Sequence, residues 1–151
     1  VQYHKCNSVA IMYVTRAVHI LKASGYRITS SRKSVLGALE RAERPMSPYE
    51  LQKMLEQSGQ HLDHVTIYRT LEILGNLNLA HRVTSLGGFV RCSLDYDEAC
   101  HRYVVCRRCG AFFEFADETL CKKEQEVVRG FGFLTEQHVA ESLGLCAACN
   151  D

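Results

Sequence analysis

The chain lacks any run of apolar residues approaching the roughly 20 that a membrane-spanning helix needs, so no membrane partner is expected. It has no internal repeat and no low-complexity stretch, which excludes solenoid and fibrous architectures. No small-residue cleavage signal follows the apolar segment Val9–Val14, which reads as the start of a helix rather than a signal peptide. Charge of one sign is also scarce: 18 Lys and Arg against 17 Asp and Glu leave a net of +1. About half of the 151 residues are apolar, so a packed core is within reach and disorder is not expected.

The near-neutral total conceals an asymmetry. Val1–Ser93 carries 12 basic and 6 acidic residues, a net of +6, and Leu94–Asp151 carries 6 and 11, a net of −5. A basic front and an acidic rear point to two modules, the first attracted to a polyanion.

Periodicity divides the chain in the same way. Val9–Ser24 reads as a helix stopped by Gly25. Thr29 or Ser30 caps a second helix to about Ala42, with Val35, Leu36 and Leu39 on its apolar face. Ser47-Pro48-Tyr49-Glu50 is a capping box with proline at the first helical position. Asp63 caps a fourth helix, His64–Asn76, with Ile67, Leu71 and Leu74 on one face. Two short extended runs, Leu79–Thr84 and Phe89–Ser93, flank Leu86-Gly87-Gly88 as a hairpin. Helices followed by a hairpin make a winged helix-turn-helix over residues 1–93. The polar, acidic residues 94–100 read as a hinge. Residues 101–151 then form a smaller α/β domain: a strand pair around Cys106–Gly110, a helix capped by Asp117, and one more extended run before Leu145. The fold class is α+β.

Eight cysteines require an explanation. Four of them form two C-x-x-C turns, Cys106/Cys109 and Cys146/Cys149. Each turn presents two thiolates on one edge of a tetrahedron, and two turns close the shell of a structural zinc, leaving no open position for catalysis. That pairing suits a reducing, cytoplasmic setting better than a disulfide framework. A redox C-x-x-C is the rival reading, and the presence of two pairs argues against it. A looser constellation is His81, Cys92, His101 and Glu114. One sulfur, two imidazoles and a carboxylate suit tetrahedral zinc and would bring residues from both sides of the hinge to one ion. The plain alternative is a surface histidine, a small buried cysteine and a solvated glutamate. Cys6, Cys100 and Cys121 read as free thiols, with Cys100 a competitor to the adjacent His101. His138 reads as a strand residue.

The non-core face of His64–Asn76 carries His64, Thr66, Tyr68 and Arg69. Arginine grips guanine bidentately, and hydroxyls reach phosphate. Tyr49 and Arg27 add contacts from neighbouring helix starts. The alternative is a solvated polar face. The deaminase signature H-x-E with P-C-x-x-C is absent, and no enzyme is expected.

The segments Gly25-Tyr26-Arg27-Ile28-Thr29, Val65-Thr66-Ile67-Tyr68-Arg69-Thr70-Leu71 and the two C-x-x-C turns together resemble the ferric uptake regulator family over nearly the whole chain. The resemblance implies a homodimeric repressor of double-stranded operator DNA, with a winged-helix half, an α/β dimerisation half and a regulatory metal near the hinge. The set His81, Cys92, His101 and Glu114 is similar to the sensing site of the zinc uptake regulator branch, which implies control of zinc-uptake genes. An iron or peroxide sensor of the same family is the alternative. Iron-sensing members carry a cluster rich in histidine and aspartate before the first C-x-x-C. Here that stretch is Glu98-Ala99-Cys100-His101-Arg102-Tyr103. A third metal site, present in some members, would draw on His138.

Overall fold

The computed structural model describes residues 10–93, 100–135 and 138–150. It divides into two compact units, Val1–Ser93 and Leu94–Asp151. Cys6 and hinge positions 94–99 lie outside the described residues.

The first unit is built on four helices, each started by a local signal. α1 (Ala10–Ala23) presents Tyr13, Ala17 and Leu21 at four-residue spacing, and all three are buried. The chain then turns at Gly25, whose φ of 81° falls in the left-handed region that a side chain disfavours. α2 (Ser30–Arg41) starts where the Thr29 hydroxyl accepts from the Arg32 amide. α3 (Pro48–Gln57) carries the full capping box: the Glu50 amide donates to Ser47 Oγ, and the Ser47 amide donates to the Glu50 carboxylate at 2.8 Å. α4 (His64–Asn76) starts at Asp63, which accepts from the Thr66 amide at 2.9 Å. The buried residues Val35, Leu36, Leu39, Leu51, Leu55, Ile67, Leu71 and Leu74 share one core with those of α1. Each contributes about 1.5–3 kcal/mol by leaving water, so this cluster dominates the stability of the unit.

A hairpin follows α4. β1 (Ala80–Val83) and β2 (Gly88–Arg91) pair antiparallel, with Ala80 opposite Arg91 and Val83 opposite Gly88. Phe89 also exchanges two backbone hydrogen bonds with Met46, at 3.0 and 2.8 Å, which fastens the hairpin to the segment before α3. Gly88 makes this contact possible: a Cβ there would stand 2.6 Å from Met46 N and from Pro45 C.

The second unit is a three-stranded sheet, β4-β3-β5, with one helix. β3 (Cys100–Cys106) is central and buried along most of its length. It pairs antiparallel with β4 (Phe112–Phe115) and parallel with β5 (His138–Gly144). α5 (Glu118–Gly130), capped by Asp117, makes the crossover that a parallel partner needs. Cys100, read from the sequence as the last hinge residue, is the first residue of β3, and the sheet gains a third, parallel strand that the sequence placed only as an extended run. Several large apolar side chains of this unit stand exposed, among them Phe113, Val127, Phe131, Leu134 and Leu143.

Candidate metal centres and nucleic-acid interface

The tight turn after β3 puts Cys106 and Cys109 side by side. The Gly110 amide donates to the Cys106 carbonyl at 2.9 Å, and the positive φ of Gly110, 73°, lets the chain return as β4. Parallel pairing brings Gly144 opposite Cys106 at the same end of the sheet, and the Arg107 amide donates to the Gly144 carbonyl at 3.0 Å. Cys146 and Cys149 therefore arrive beside the first turn, and one ligand atom from each of the four cysteines lies within 4.8 Å of the others. The Cys109 and Cys146 sulfurs are 3.7 Å apart. A tetrahedron with zinc–sulfur bonds of about 2.3 Å has an edge of about 3.8 Å, so the spacing fits zinc. The local field already favours thiolate at one corner. Hydrogen bonds from the backbone of Cys109, then Cys146, lower the Cys106 thiol to about 6. Hydrogen bonding with the Cys146 side chain pushes Cys149 up to about 12. Four sulfurs this close cannot all ionise without a cation among them, which zinc supplies.

In the first unit, His81 lies on β1 opposite Val90, and Cys92 follows β2. Both are buried, with ligand atoms within 4.8 Å of each other. The position of Cys92 is fixed by its backbone. Its amide donates to the Leu79 carbonyl at 2.9 Å, and its carbonyl accepts from Arg16 of α1 at 3.0 Å. Leu79 also accepts from the buried Tyr13 hydroxyl at 2.9 Å. Burial, and secondarily the neighbouring Cys92, raise the Tyr13 phenol, so it stays a donor.

In the second unit, His101 of β3 and Glu114 of β4 meet, with Nδ1 2.9 Å from Oε1 and both side chains almost wholly buried. Tyr103, opposite Glu114 in the register, donates its hydroxyl to the same carboxylate oxygen at 2.8 Å. Tyr103 escaped the sequence reading because its role depends on cross-strand register.

A further cluster surrounds His138, the residue on which a third metal site would draw. Cys100 and Cys121, read as free thiols, are joined by a disulfide with Cα atoms 6.0 Å apart. His138, opposite Cys100 on β5, places Nδ1 3.5 Å from the Cys100 sulfur.

On the nucleic-acid side, Tyr68, Arg69 and Tyr49 are exposed, as is Arg27. Thr66 also serves the helix start: its hydroxyl donates to Asp63 at 2.6 Å. Val65 of α4, apolar yet 55% exposed, was not singled out because no polar group marks it as a contact.

A model of the ferric uptake regulator family matches residues 23–142, most of the chain. The chain belongs to the ferric uptake regulator family. Within that family it is 30% identical over 138 residues to the zinc uptake regulation protein of Escherichia coli strain K12, covering 90% of this chain and 80% of that protein. It is 31% identical over 132 residues to the zinc uptake regulation protein of Mycobacterium tuberculosis, covering 85% and 98%. A solved structure of a zinc uptake regulator complexed with zinc and DNA superposes with a TM-score of 0.81 at 27% identity, covering 94% of this chain and 95% of that one. The family is one of transcriptional regulators. No helix among the described residues is long and apolar enough to cross a membrane.

Proposed function

We propose that this chain is a zinc-responsive, DNA-binding transcriptional repressor of zinc-uptake genes, acting as a cytoplasmic homodimer and not as an enzyme. The observation that carries the reading is the donor chemistry of two buried pairs, His81 with Cys92 and His101 with Glu114, in a chain whose relatives include zinc uptake regulators. Imidazole, thiol and carboxylate are the donor types that tetrahedral zinc sites use. A thiolate favours zinc, whereas iron is readily held by an oxygen-rich shell.

Zinc at this site would supply a tetrahedral charge centre that all four ligands share. His81 and Cys92 belong to the wing hairpin, whose backbone is held by Leu79 and Arg16. His101 and Glu114 belong to the sheet beyond the hinge, where Tyr103 orients the carboxylate. Ligands contributed from both sides would fix the angle across residues 94–100. In a dimer that angle sets the separation of the two α4 helices, which must match successive major-groove faces. Metal favours DNA binding only through its preference for this closed arrangement. Cys106, Cys109, Cys146 and Cys149 hold the second, structural zinc. Exposed apolar residues of the second unit, including Phe113 and Val127, are the surface a second copy would cover.

For DNA, Arg69 is assigned to a base edge, Tyr68 and Tyr49 to the groove and phosphates, and Arg27 to phosphate. Val65 is suited to a thymine methyl, and Thr66 contributes by holding the start of α4. The test is metal content of the protein purified from cells, combined with operator binding titrated against buffered zinc and iron and footprinting on the protein's own promoter region. Zinc-stimulated protection supports the reading. Protection stimulated by iron and not by zinc transfers the protein to the iron- or peroxide-sensing branch.

A further inference from the structure

The second unit contains a second set of sulfur and nitrogen groups that the four-thiolate centre does not use. Cys100 at the start of β3 and Cys121 on α5 are the crosslinked pair. Cys100 is 2% exposed and Cys121 is 8% exposed. His138 stands against the Cys100 sulfur, and the Gln125 amide donates to the Cys121 sulfur at 3.5 Å.

Cys100, Cys121 and His138 bring their ligand atoms within 4.8 Å, so a metal is the first possibility to weigh. Three features count against it. Zinc in a closed site takes four ligands, and the trio supplies three. The carboxylate beside it, Glu124, is already engaged: its Oε2 meets His138 Nε2 at 3.0 Å and also pairs with the Arg102 guanidinium. Arg102 itself is largely buried, and a divalent cation brought beside a buried guanidinium meets repulsion that water cannot screen. The same surroundings tolerate a neutral disulfide.

We propose that Cys100 and Cys121 form a reversible redox site that responds to peroxides, separate from metal sensing. The Cα separation of 6.0 Å lies inside the range that a disulfide spans without backbone movement. Cys121 is the more exposed partner and meets the oxidant first. Its sulfur attacks one peroxide oxygen, the O–O bond breaks, and water leaves as the sulfur becomes a sulfenic acid. The Cys100 sulfur then attacks the Cys121 sulfur, the S–O bond breaks, and a second water leaves with the remaining thiol proton. Two thiols and one hydrogen peroxide become one disulfide and two waters. A thiol reductant returns the pair to its starting state. Closing this bond fastens the first residue of β3 to α5, around the segment that carries the first C-x-x-C turn.

The test uses the full chain loaded with zinc, reduced, freed of reductant and treated with equimolar hydrogen peroxide. Free thiols are then blocked and peptides mapped by mass spectrometry. The expected result is a Cys100–Cys121 crosslinked peptide lighter by two hydrogens, formed before zinc is lost and reversed by dithiothreitol. Oxidised protein is expected to unfold roughly 10 °C above reduced protein. That gap is expected to vanish in Cys121→Ser. Cys121→Ala accompanies it, so that a buried hydroxyl is separated from loss of the crosslink. Oxidation of the C-x-x-C cysteines with zinc release, while Cys100 and Cys121 stay alkylatable, would overturn the proposal. So would a loss of one zinc per chain in both Cys121 variants, which would make the trio a metal site.

Discussion

Adding one methyl group at Gly88 is predicted to unfasten the wing. The Cβ of Gly88→Ala would lie 2.6 Å from Met46 N and from Pro45 C, and 2.9 Å from Met46 C, where ordinary contact begins at 3.4 Å. All three are backbone atoms, so no side chain can swing away. Relief requires β2 to withdraw by roughly 0.8 Å, the gap between 2.6 and 3.4 Å. The two Met46–Phe89 hydrogen bonds, now 3.0 and 2.8 Å, would then exceed the usual N–H···O range. Each of the two lost bonds costs about 1 kcal/mol, and overpacking of this kind typically costs about 1–3 kcal/mol, so a loss of about 3–5 kcal/mol is expected. With a urea slope of roughly 1–3 kcal/mol per molar, the midpoint for the first unit should fall by about 1 M or more at unchanged slope. Because His81 and Cys92 lie on or beside the hairpin, zinc affinity at the regulatory site should fall with it. A midpoint within about 0.3 M of wild type by circular dichroism would refute the reasoning.

Three further outcomes are expected. Cys106→Ser should lose the structural zinc and much of the second unit, since metal binding there is folding free energy; sedimentation and metal analysis of the variant would show a zinc-free but well-folded dimer if the assignment were wrong. Arg69→Ala should weaken operator binding by about 1–3 kcal/mol and relax base preference, whereas Arg27→Ala should weaken all sequences alike and reduce the salt slope; gel-shift titrations over several salt concentrations separate the two. Glu50 is held down to about 2, chiefly by the Ser47 amide and then by Arg44. A lowered folded-state value means its contribution to stability is present above the ordinary carboxylate range near 4.5 and is lost as pH falls towards 2. Glu50→Gln should therefore flatten the acid limb of the stability curve over that window, read by thermal unfolding at stepped pH.

The helix starts were legible because Thr29, Ser47, Asp63 and Asp117 each act on the amide three residues on, within reach of local pattern. The four-thiolate centre was legible because each C-x-x-C turn is half a tetrahedron by itself. What sequence did not reveal depends on long-range register. Parallel pairing of β3 with β5 sets His138 against Cys100, and the α5 crossover sets Cys121 there too; neither spacing is visible along the chain. Tyr103 supports Glu114 only because the two are opposite across β3 and β4. Thr66 has a second, local task that its place on the polar face did not reveal: its hydroxyl bonds the capping residue Asp63. Gly88 drew notice as a turn residue, while its close approach to Met46, 42 positions earlier, was hidden.

The central claim is that Cys92 and its three companions couple zinc to operator binding. Operator affinity measured against buffered free zinc, for wild type and Cys92→Ser, tests it most directly. Cys92→Ser should keep its structural zinc, remain folded and dimeric, and lose zinc-stimulated binding, because removing a thiolate from a four-ligand shell weakens zinc strongly. If the two curves coincide, the hinge clamp built on Cys92 is wrong.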